Sequence, residues 1–497
     1  MSLLSETNAK APVRQIGGLR HLARFCLLAG TLISGNGDES DYRAATAWID
    51  ITPQELPIRM AGSMRPSQAN IIHDPLRARL ILIATEKTKI ILGTLDHCVL
   101  PEAVFQPIAL AVEEATQIPA SHITLSATHT HSAPPLTGLF LNDPERAYSH
   151  WMIQRVTHAM IQLASKPLEP VRIAWDSVDV PNHVFNRRWH LKEGIQQPNP
   201  LGSLTDRVRM NPGYGNPEIV QPAGPVDSAL SLLAISRLDG SPMAIYANYA
   251  LHYVGGVSGI SADYFGAYNS MLTKGFAALY PRGEFLGILS NGSSGDINNL
   301  DFSLREAPPR LPLFQKIESV AQDLATRTIS LYPQLKWQLR GPLQCLQTNF
   351  NLAVRQPNPE EISEAKEIAQ KAEQTSKDLW KQDQIYARET LLLAEGPKQV
   401  NLTMNALRIG DGCMLTLPAE VFCEIGIQLK KTSLATHTMV IELANGYHGY
   451  LPSPEQHALG GYETWRARSS YLEVNASIHC VKALQHLQGG LWDTLSN

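Results

Sequence analysis

Two histidines separated by one residue, His129 and His131, are the strongest candidates for chemistry in this sequence. They follow the apolar run Ile123-Thr124-Leu125, which predicts a strand. In an extended backbone, residues i and i+2 point to the same face, so both imidazoles can face one space. There they could bind a metal ion or titrate near neutral pH. A polar strand end with solvated histidines shows the same local pattern, so the pair needs partners elsewhere in the chain.

Other candidates occur within a few residues of the end of a predicted apolar strand. They are His252, Glu420, Tyr447 and Tyr450. Strand ends at one edge of a sheet commonly carry catalytic groups, because rigid strands position them and loops shape the pocket. Two imidazoles and a carboxylate leave a position for water in catalytic zinc sites, where zinc makes that water a nucleophile near neutral pH.

The same candidates also have structural interpretations when each is taken alone. His252 could be a core histidine, and Glu420 could be an acid at a helix N-terminus, worth roughly 0.3–1 kcal/mol. Tyr450 could be a packed aromatic side chain with its hydroxyl at the surface. If the metal site exists, Asp96 and Asp263 are predicted to accept hydrogen bonds from the far imidazole nitrogens.

The composition is that of a large globular protein: 497 residues, 44% hydrophobic and 18% charged. This length suits one large domain or two ordinary ones. A net charge of −4 without a long basic block gives no indication of a nucleic-acid partner. The sequence predicts no transmembrane segment, because no stretch approaches 18 uninterrupted apolar residues. The six cysteines include no C-x-x-C pair, so we interpret them as buried thiols rather than disulfides or a thiolate metal site.

Residues 1–43 are interpreted as an N-terminal extension or an export signal, and residues 44–497 as one large folded domain. Arg14, Arg20 and Arg24 precede a short apolar run at 25–33, which is typical of a signal with a basic lead. If this segment directs export, the protein leaves the cytoplasm; otherwise it is cytoplasmic. The sequence does not indicate an oligomeric state.

Strand and helix patterns alternate along the rest of the chain. Hairpins are predicted at 78–95, 229–249 and 404–417, further strands at 123–127, 171–175, 285–289 and 437–443, and helices at 101–116, 148–165, 311–331, 359–394 and 476–487. The pattern predicts an α/β (mixed α+β) fold, with mixed β-sheets packed together and flanked by helices in a single large catalytic domain. Residues 181–227, rich in Asn, Pro, Gly and Arg, are predicted to be a long functional loop.

An ordered series of short motifs between Ile49 and Tyr471 resembles the neutral, non-lysosomal ceramidases and their shorter bacterial relatives. The series comprises Asp50-Ile51-Thr52-Pro53, Met60-Ala61-Gly62, Ile72 to Arg79, Thr128-His129-Thr130-His131-Ser132, Asn186-Arg187, Tyr246 to Asp263, Leu417-Pro418-Ala419-Glu420, Tyr447-His448-Gly449-Tyr450 and Gly461-Tyr462-Glu463. The Thr-His-Thr-His-Ser stretch is the most recognisable of these.

The resemblance implies an amidohydrolase that holds one Zn²⁺ per chain. It implies that the zinc ligands are His129, His252, Glu420 and Tyr450. It further implies that His131 acts on the zinc-activated water or the amide, and that Arg187 and Tyr462 bind the substrate or its oxyanion. The substrate would be a linear amide, either an N-acyl lipid such as ceramide or a smaller N-acyl compound. Sphingolipid metabolism is the implied setting.

The sequence departs from the resemblance in two places. The family's Gly-Asp-x-Ser segment reads Gly295-Asp296-Ile297-Asn298 here, so Asn298 stands where a serine contacts substrate or acts as nucleophile. Asparagine has no nucleophilic hydroxyl, which excludes a covalent acyl-enzyme at this position but not a zinc mechanism. The chain also ends at Asn497, which is expected to leave no room for the family's C-terminal β-sandwich.

Two alternatives to the N-acyl amidase remain open at this point. The first is a zinc hydrolase of a small polar ester or amide, favoured by the polar composition of residues 181–227. These residues include Arg187, Arg188, Arg207 and Arg209, which suggested an anionic or sugar-like substrate. The second is a catalytically impaired metal-binding relative, for which Asn298 would mark the lost activity.

Overall fold

A computed structural model describes residues 40–281 and 283–493. The predicted N-terminal segment therefore lies outside the described residues, except for 40–43. The described residues form these strands: β1 (Arg43–Asp50), β2 (Ile58–Met60), β3 (Ser67–Ala69), β4 (Arg77–Ala84), β5 (Lys89–Leu95), β6 (Ile123–Ala127), β7 (Glu169–Asp179), β8 (Phe185–Asn186), β9 (Arg188–Leu191), β10 (Val208–Met210), β11 (Ile219–Pro222), β12 (Ala229–Arg237), β13 (Pro242–Tyr249), β14 (Leu286–Asn291), β15 (Ile297–Asn298), β16 (Leu343–Ala353), β17 (Gln399–Ile409), β18 (Gly412–Thr416), β19 (Glu420–Val421), β20 (His437–Ile441) and β21 (Tyr450–Leu451).

The α-helices of the described residues account for most of the remaining regular structure. They are α1 (Glu102–Thr116), α2 (Arg146–Ser165), α3 (Asp263–Leu279), α4 (Gln315–Leu331), α5 (Pro359–Ala372), α6 (Gln382–Glu395), α7 (Cys423–Lys431), α8 (Pro454–Leu459) and α9 (Ala476–Asp493). In the described part of the chain, no helix is long and apolar enough to cross a membrane.

Two β-sheets form the centre of the fold. The larger has the order β14-β13-β12-β7-β1-β4-β5-β6, and the smaller has the order β16-β17-β18-β20. Both are mixed: β5 and β6, β13 and β14, and β18 and β20 pair in parallel, whereas the predicted hairpins pair antiparallel. The predicted fold class of mixed sheets flanked by helices is therefore confirmed.

Strand β4 shows why these residues form a buried sheet. Leu80 and Leu82 point into a core shared with α1 and α2, whereas Ile81 and Ile83 point into a second core between the two sheets. A strand exposes alternate residues to opposite faces, so a continuous apolar run is required when both faces are buried. A third core lies between β12–β14 and the helices α3 and α4, and a fourth between the smaller sheet and α7 and α9. The layers are thus helix, sheet, sheet, helix.

Several of the predicted helices have different boundaries in the structure; the last, predicted at 476–487, extends to Asp493. The single helix predicted at 359–394 is two helices, α5 and α6, separated by residues 373–381. The break follows from Trp380, which is buried and donates its indole N–H to the Ala372 carbonyl at 3.0 Å, at the end of α5. Helix α4 begins at Gln315 rather than at 311, because Pro312 precedes it and Phe314 has a positive φ of 66°.

The predicted loop at 181–227 is partly regular structure. Strands β9, β10 and β11 form a small three-stranded sheet within it, and β8 pairs with β15. These strands have two to four residues, which is too short for an alternating apolar pattern to be visible among the Pro, Gly and Asn residues. The described cysteines are free thiols, and all of them are buried except the half-buried Cys345: Cys98, Cys345, Cys413, Cys423 and Cys480. Cys98 lies close enough to His129 and His131 to form a candidate metal-binding group with them.

Candidate metal centre and active site

Most of the site residues follow, or belong to, a strand, and the strand ends bring them close together. His129 follows β6, His252 follows β13, and Arg187 lies between β8 and β9. Glu420 and Tyr450 are register partners in the parallel pair β19 and β21, so one short ladder fixes both. Of the predicted site residues, the structure brings together His129, His131, His252, Glu420, Arg187, Tyr450 and Tyr462, but not Asn298.

His129, His252 and Glu420 form a compact buried cluster. The Nε2 atoms of His129 and His252 are 3.0 Å apart, and the His129 Nε2 is 3.4 Å from a Glu420 carboxylate oxygen. One ligand atom from each residue lies within 4.8 Å of the other two, and all three side chains are buried. His129 has φ of +74°, which is uncommon for a residue with a side chain and typical of strained functional sites.

Backbone carbonyls orient both imidazoles. The Nδ1 of His129 lies 2.6 Å from the Cys98 carbonyl, and the Nδ1 of His252 lies 3.2 Å from the Ser294 carbonyl. A carbonyl can only accept, so each Nδ1 carries the proton and each neutral ring presents its Nε2 lone pair to the cluster. Two lone pairs 3.0 Å apart require a positive charge between them, either a shared proton or a metal ion.

The prediction that Asp96 and Asp263 accept from these rings was wrong. Asp96 forms a buried ion pair with Arg79 at 2.8 Å, and Asp263 accepts from the backbone N–H groups of Val254 and Gly255. Carbonyl acceptors depend on how the backbone folds and therefore leave no signal in the sequence.

The Glu420 carboxylate completes the donor set. One oxygen accepts a hydrogen bond from the Tyr447 hydroxyl at 2.9 Å, whereas Oε2 is buried without a hydrogen-bond partner and faces His129. An unpaired buried carboxylate oxygen is costly unless a cation satisfies it. Two imidazoles and a carboxylate are the usual protein ligands of a catalytic zinc ion, so these residues fit such an ion.

The electrostatics of the cluster also favour one positive charge. Burial lowers the pKa of His129, but Cys98 and the Glu420 carboxylate outweigh burial and raise it well above the usual value. Burial, together with His129 and Arg187, holds the pKa of His252 well below its usual value. Burial also opposes ionisation of Glu420, yet His129 and Arg187 bring its pKa below the ordinary value.

Arg187 is a buried cation fixed from several directions. It donates from Nε to Glu463 at 2.8 Å and from Nη2 to the Gly295 carbonyl at 2.7 Å and the Tyr450 hydroxyl at 3.1 Å. Its Nη1 points to the His252 Nε2 at 3.3 Å and is thus aimed at the cluster. Burial opposes its charge, but Tyr450 and Glu463 raise its pKa well above the usual value. The guanidinium therefore stays charged.

His131 lies beside the cluster rather than inside it. Its Nε2 is 3.4 Å from the His129 Nε2, and its ring stacks on Tyr253 with centroids 3.6 Å apart. The opposite side of the ring touches the backbone of Gly62, where a Cβ would overlap the imidazole. Burial, and the charges of His129 and Arg187, lower the pKa of His131 well below its usual value. The ring is therefore neutral.

Three tyrosines, Tyr447, Tyr450 and Tyr462, line the cavity that opens onto the cluster. Tyr450 and Tyr462 have ring centroids 5.8 Å apart and meet edge to face. Burial raises the pKa of both phenols, so each hydroxyl keeps its proton and can donate a hydrogen bond. The Tyr450 hydroxyl accepts a hydrogen bond from Arg187, and the same guanidinium also contacts His252. Its role as a fourth metal ligand stays a prediction.

The side chain of Asn298 hydrogen-bonds to neighbouring loop residues. Its amide nitrogen donates to the Asn211 side chain at 2.6 Å, and its Oδ1 accepts from the Leu300 backbone at 3.0 Å. Both polar groups of its side chain are thereby used within the surrounding loops. Its predicted place among the catalytic residues stays a prediction.

The arginines of residues 181–227 have partners within the chain. Arg188 is completely buried and pairs with Glu463 at 2.7 Å, and Arg209 pairs with Glu218 at 2.6 Å. Arg207 donates to the Ala458 carbonyl at 2.8 Å. Only Arg187 of this set contacts the cluster, so the composition of the segment no longer indicates an anionic or sugar-like substrate.

Several residues of the site were not found from the sequence. Glu463 binds both Arg187 and Arg188, although its only sequence signal was its place beside Tyr462. Glu442 is fully buried and accepts from the Ser294 hydroxyl at 2.6 Å and the Val421 backbone at 2.7 Å, next to two ligand-bearing segments. Tyr253 directly follows His252, a position that could have indicated its contact with His131.

Comparison with known proteins rests on solved structures, since no family model and no curated protein matches the sequence. A neutral ceramidase from Pseudomonas aeruginosa matches with a TM-score of 0.65 and 17% identity, over 91% of this chain and 75% of that one. A ceramidase complexed with C2 matches with a TM-score of 0.65 and 16% identity, over 92% of this chain and 76% of that one. The resemblance seen in the sequence is therefore confirmed at the level of architecture, and the chain has a neutral ceramidase-like fold.

Proposed function

We propose that this protein is a zinc-dependent hydrolase of linear amide bonds, acting on an N-acyl lipid such as ceramide or on a smaller N-acyl compound. The observation that carries the proposal is the buried set of His129, His252 and Glu420, with two oriented Nε2 atoms and one unpaired carboxylate oxygen. The ceramidase structures that share the fold support the same reaction class.

His129, His252 and Glu420 would hold the ion, with Tyr450 as the proposed fourth ligand. When bound, a zinc ion in such a set acidifies a water molecule to near neutral pH and polarises a carbonyl oxygen. The chain's own residues then have to position the amide, stabilise developing charge and move protons.

His131 is suited to proton transfer. Its neutral imidazole can take a proton at Nε2 during attack of water on the amide carbonyl and return it to the departing amine. Stacking on Tyr253 and contact with the Gly62 backbone hold the ring in one orientation, as a general base requires. Because Asn298 has no nucleophilic hydroxyl, acyl transfer would go directly to water.

Arg187 and Tyr462 are suited to stabilising the oxyanion. Arg187 is permanently charged, and its guanidinium is held by Glu463, Gly295 and Tyr450, so it needs little reorganisation during the reaction. Tyr462 lines the cavity with a protonated hydroxyl. Removal of one such donor typically costs about 100-fold to 1,000-fold in kcat.

A substrate panel with metal analysis tests the proposal. Purified protein should contain about one zinc per chain and hydrolyse N-acyl amides of a common amine, and chelation should abolish both. Zinc without hydrolysis of any amide or ester would instead favour a metal-binding protein without catalysis. Hydrolysis that persists in protein stripped of metal would exclude the zinc mechanism.

A further inference from the structure

We propose that the active site accepts only short acyl groups and that Phe140 sets this limit. The inference rests on the proposed amidase function and specifies its substrate class: N-acetyl and similarly short N-acyl compounds rather than long-chain ceramides.

The size of the cavity is the first argument. The cavity that opens onto His129, His131 and Glu420 has a volume of about 60 Å³. Since one water needs about 10–15 Å³ on this measure, there is room for about four water-sized groups. A methyl group together with the carbon, oxygen and nitrogen of its amide fills such a space. A long fatty acyl chain exceeds this volume.

The chemistry of the walls identifies which part of the substrate enters. Away from the cluster, the lining combines the apolar side chains of Val99, Leu136 and Phe140 with the polar side chains of Ser63, Thr137 and Asn142. The buried apolar side chains can pack against the methyl end of a short acyl group. We therefore assign the acyl side of the amide to this cavity.

Phe140, one of the residues that line the cavity, is held by a tight turn. Leu139 and Asn142 exchange backbone hydrogen bonds of 3.1 and 3.0 Å, and Phe140 within this turn has φ of +51°. The Leu141 N–H donates to the Met64 carbonyl at 3.1 Å, and the Asn142 side chain donates to the Ser63 carbonyl at 2.5 Å. The turn is thus fixed to the segment that forms another wall of the cavity.

The far side of Phe140 is fixed by helix α6. Its carbonyl accepts from Arg388 at 2.6 Å and from Arg468 at 3.2 Å, and Arg468 pairs with the fully buried Glu389 at 2.7 Å. Its ring packs on Tyr386 with centroids 5.7 Å apart. A chain longer than the cavity would have to displace the ring against these contacts.

The acyl-length profile of the protein tests the inference. The substrates are sphingosine amides that carry acetyl, hexanoyl or palmitoyl groups, presented in the same detergent. Wild-type kcat/KM for the acetyl compound should exceed that for the palmitoyl compound by at least about 100-fold, as expected when a small pocket excludes extra methylenes. Phe140→Gly, which suits the positive φ, should raise the palmitoyl-to-acetyl ratio at least about 10-fold.

Phe302→Ala is the matched control, because Phe302 is equally buried, packs on Tyr214 and does not line the cavity. Its acyl-length ratio should equal that of the wild type. Phe140→Leu keeps an apolar side chain and provides the test if the glycine variant does not fold. It should raise the hexanoyl-to-acetyl ratio of kcat/KM.

The results separate this inference from the proposed function. Equal wild-type rates on palmitoyl and acetyl amides would overturn the short-acyl inference and leave the amidase intact. An unchanged ratio in both folded Phe140 variants would show that Phe140 does not set the limit. Failure of the wild type to cleave these three amides and every N-acyl amide of the wider substrate panel would overturn the amidase proposal, and the inference with it.

Discussion

The Nε2 atoms of His129 and His252 lie 3.0 Å apart inside the protein, while the Nδ1 atoms of both rings face backbone carbonyls. This arrangement leaves two lone pairs directed into one buried space, with an unpaired Glu420 oxygen beside them. Arg187 Nη1 reaches the His252 Nε2 at 3.3 Å, but this contact leaves the buried Glu420 Oε2 and the close approach of the two imidazoles unbalanced. The cluster could therefore hold a cation.

Loss of His252 should remove the metal without unfolding the protein. We expect His252→Ala to weaken zinc binding by more than about 100-fold, beyond the loss usual for a residue that only orients a ligand, and to abolish hydrolysis. Zinc content after dialysis and competitive chelator titration measure this. His150→Ala, at an exposed helix position, should keep both zinc and activity. Full zinc occupancy in His252→Ala would exclude this residue as a ligand.

His131 should matter for catalysis but not for metal retention. We expect His131→Ala to keep one zinc per chain while kcat falls by about 100-fold to 10,000-fold, the range for loss of a general base. Steady-state kinetics with metal analysis of the same sample separates the two effects. If zinc is lost in parallel with kcat, His131 is a ligand, and its assignment as a proton carrier is wrong.

Catalysis should depend on the guanidinium group of Arg187 and not only on its positive charge. Arg187→Lys cannot donate simultaneously to Glu463, Gly295 and Tyr450, so we expect kcat to fall by about 100-fold or more. The control is Arg209→Lys, from the same segment, whose partner Glu218 is at the surface. That variant should keep wild-type kcat. Equal activity of Arg187→Lys and wild type would contradict a role in oxyanion stabilisation.

Glu463 should stabilise the fold in a pH-dependent way. Burial opposes its ionisation, but Arg188 and Arg187 outweigh burial and hold the pKa of the carboxyl below its ordinary value near 4.5. Since the folded-state pKa is the lower one, the stabilisation is complete above that ordinary value and is lost as pH falls through the folded-state pKa. Glu463→Gln leaves two buried cations without their anion, so we expect a loss of about 3–5 kcal/mol in the free energy of unfolding at neutral pH.

Chemical denaturation at several pH values measures the Glu463 effect. The difference between wild type and Glu463→Gln should be largest at neutral pH and shrink in acid, whereas the exposed Glu455→Gln should match wild type throughout. A difference that stays constant across the acid range would show that the carboxylate charge is not what stabilises this network.

The sequence predicted the members of the cluster better than their geometry. His129 and His131 were expected to share a strand face, but β6 ends at Ala127 and the positive φ of His129 breaks the extended conformation. Their Nε2 atoms nevertheless approach to 3.4 Å because Gly62 and Tyr253 turn the His131 ring inwards. Such contacts join segments far apart in the chain and cannot be deduced from local spacing.

Long apolar strands and amphipathic helices were predictable because burial dictates their pattern. The hairpin of β4 and β5 and the helix α1, with Val104, Ile108 and Val112 buried at intervals of four, both matched. The acceptors of the histidine ligands were not predictable. They are the backbone carbonyls of Cys98 and Ser294, and every residue has such a carbonyl whatever its side chain. The division between α5 and α6 was missed because it depends on where the Trp380 indole inserts.

Location of the bound metal tests the central claim most directly. A crystal structure of the zinc-loaded protein, with anomalous scattering measured on both sides of the zinc absorption edge, should show one zinc peak in contact with the His129 and His252 Nε2 atoms and with Glu420 Oε2. Absence of zinc from this position, or a zinc ion bound by other residues, would contradict the account.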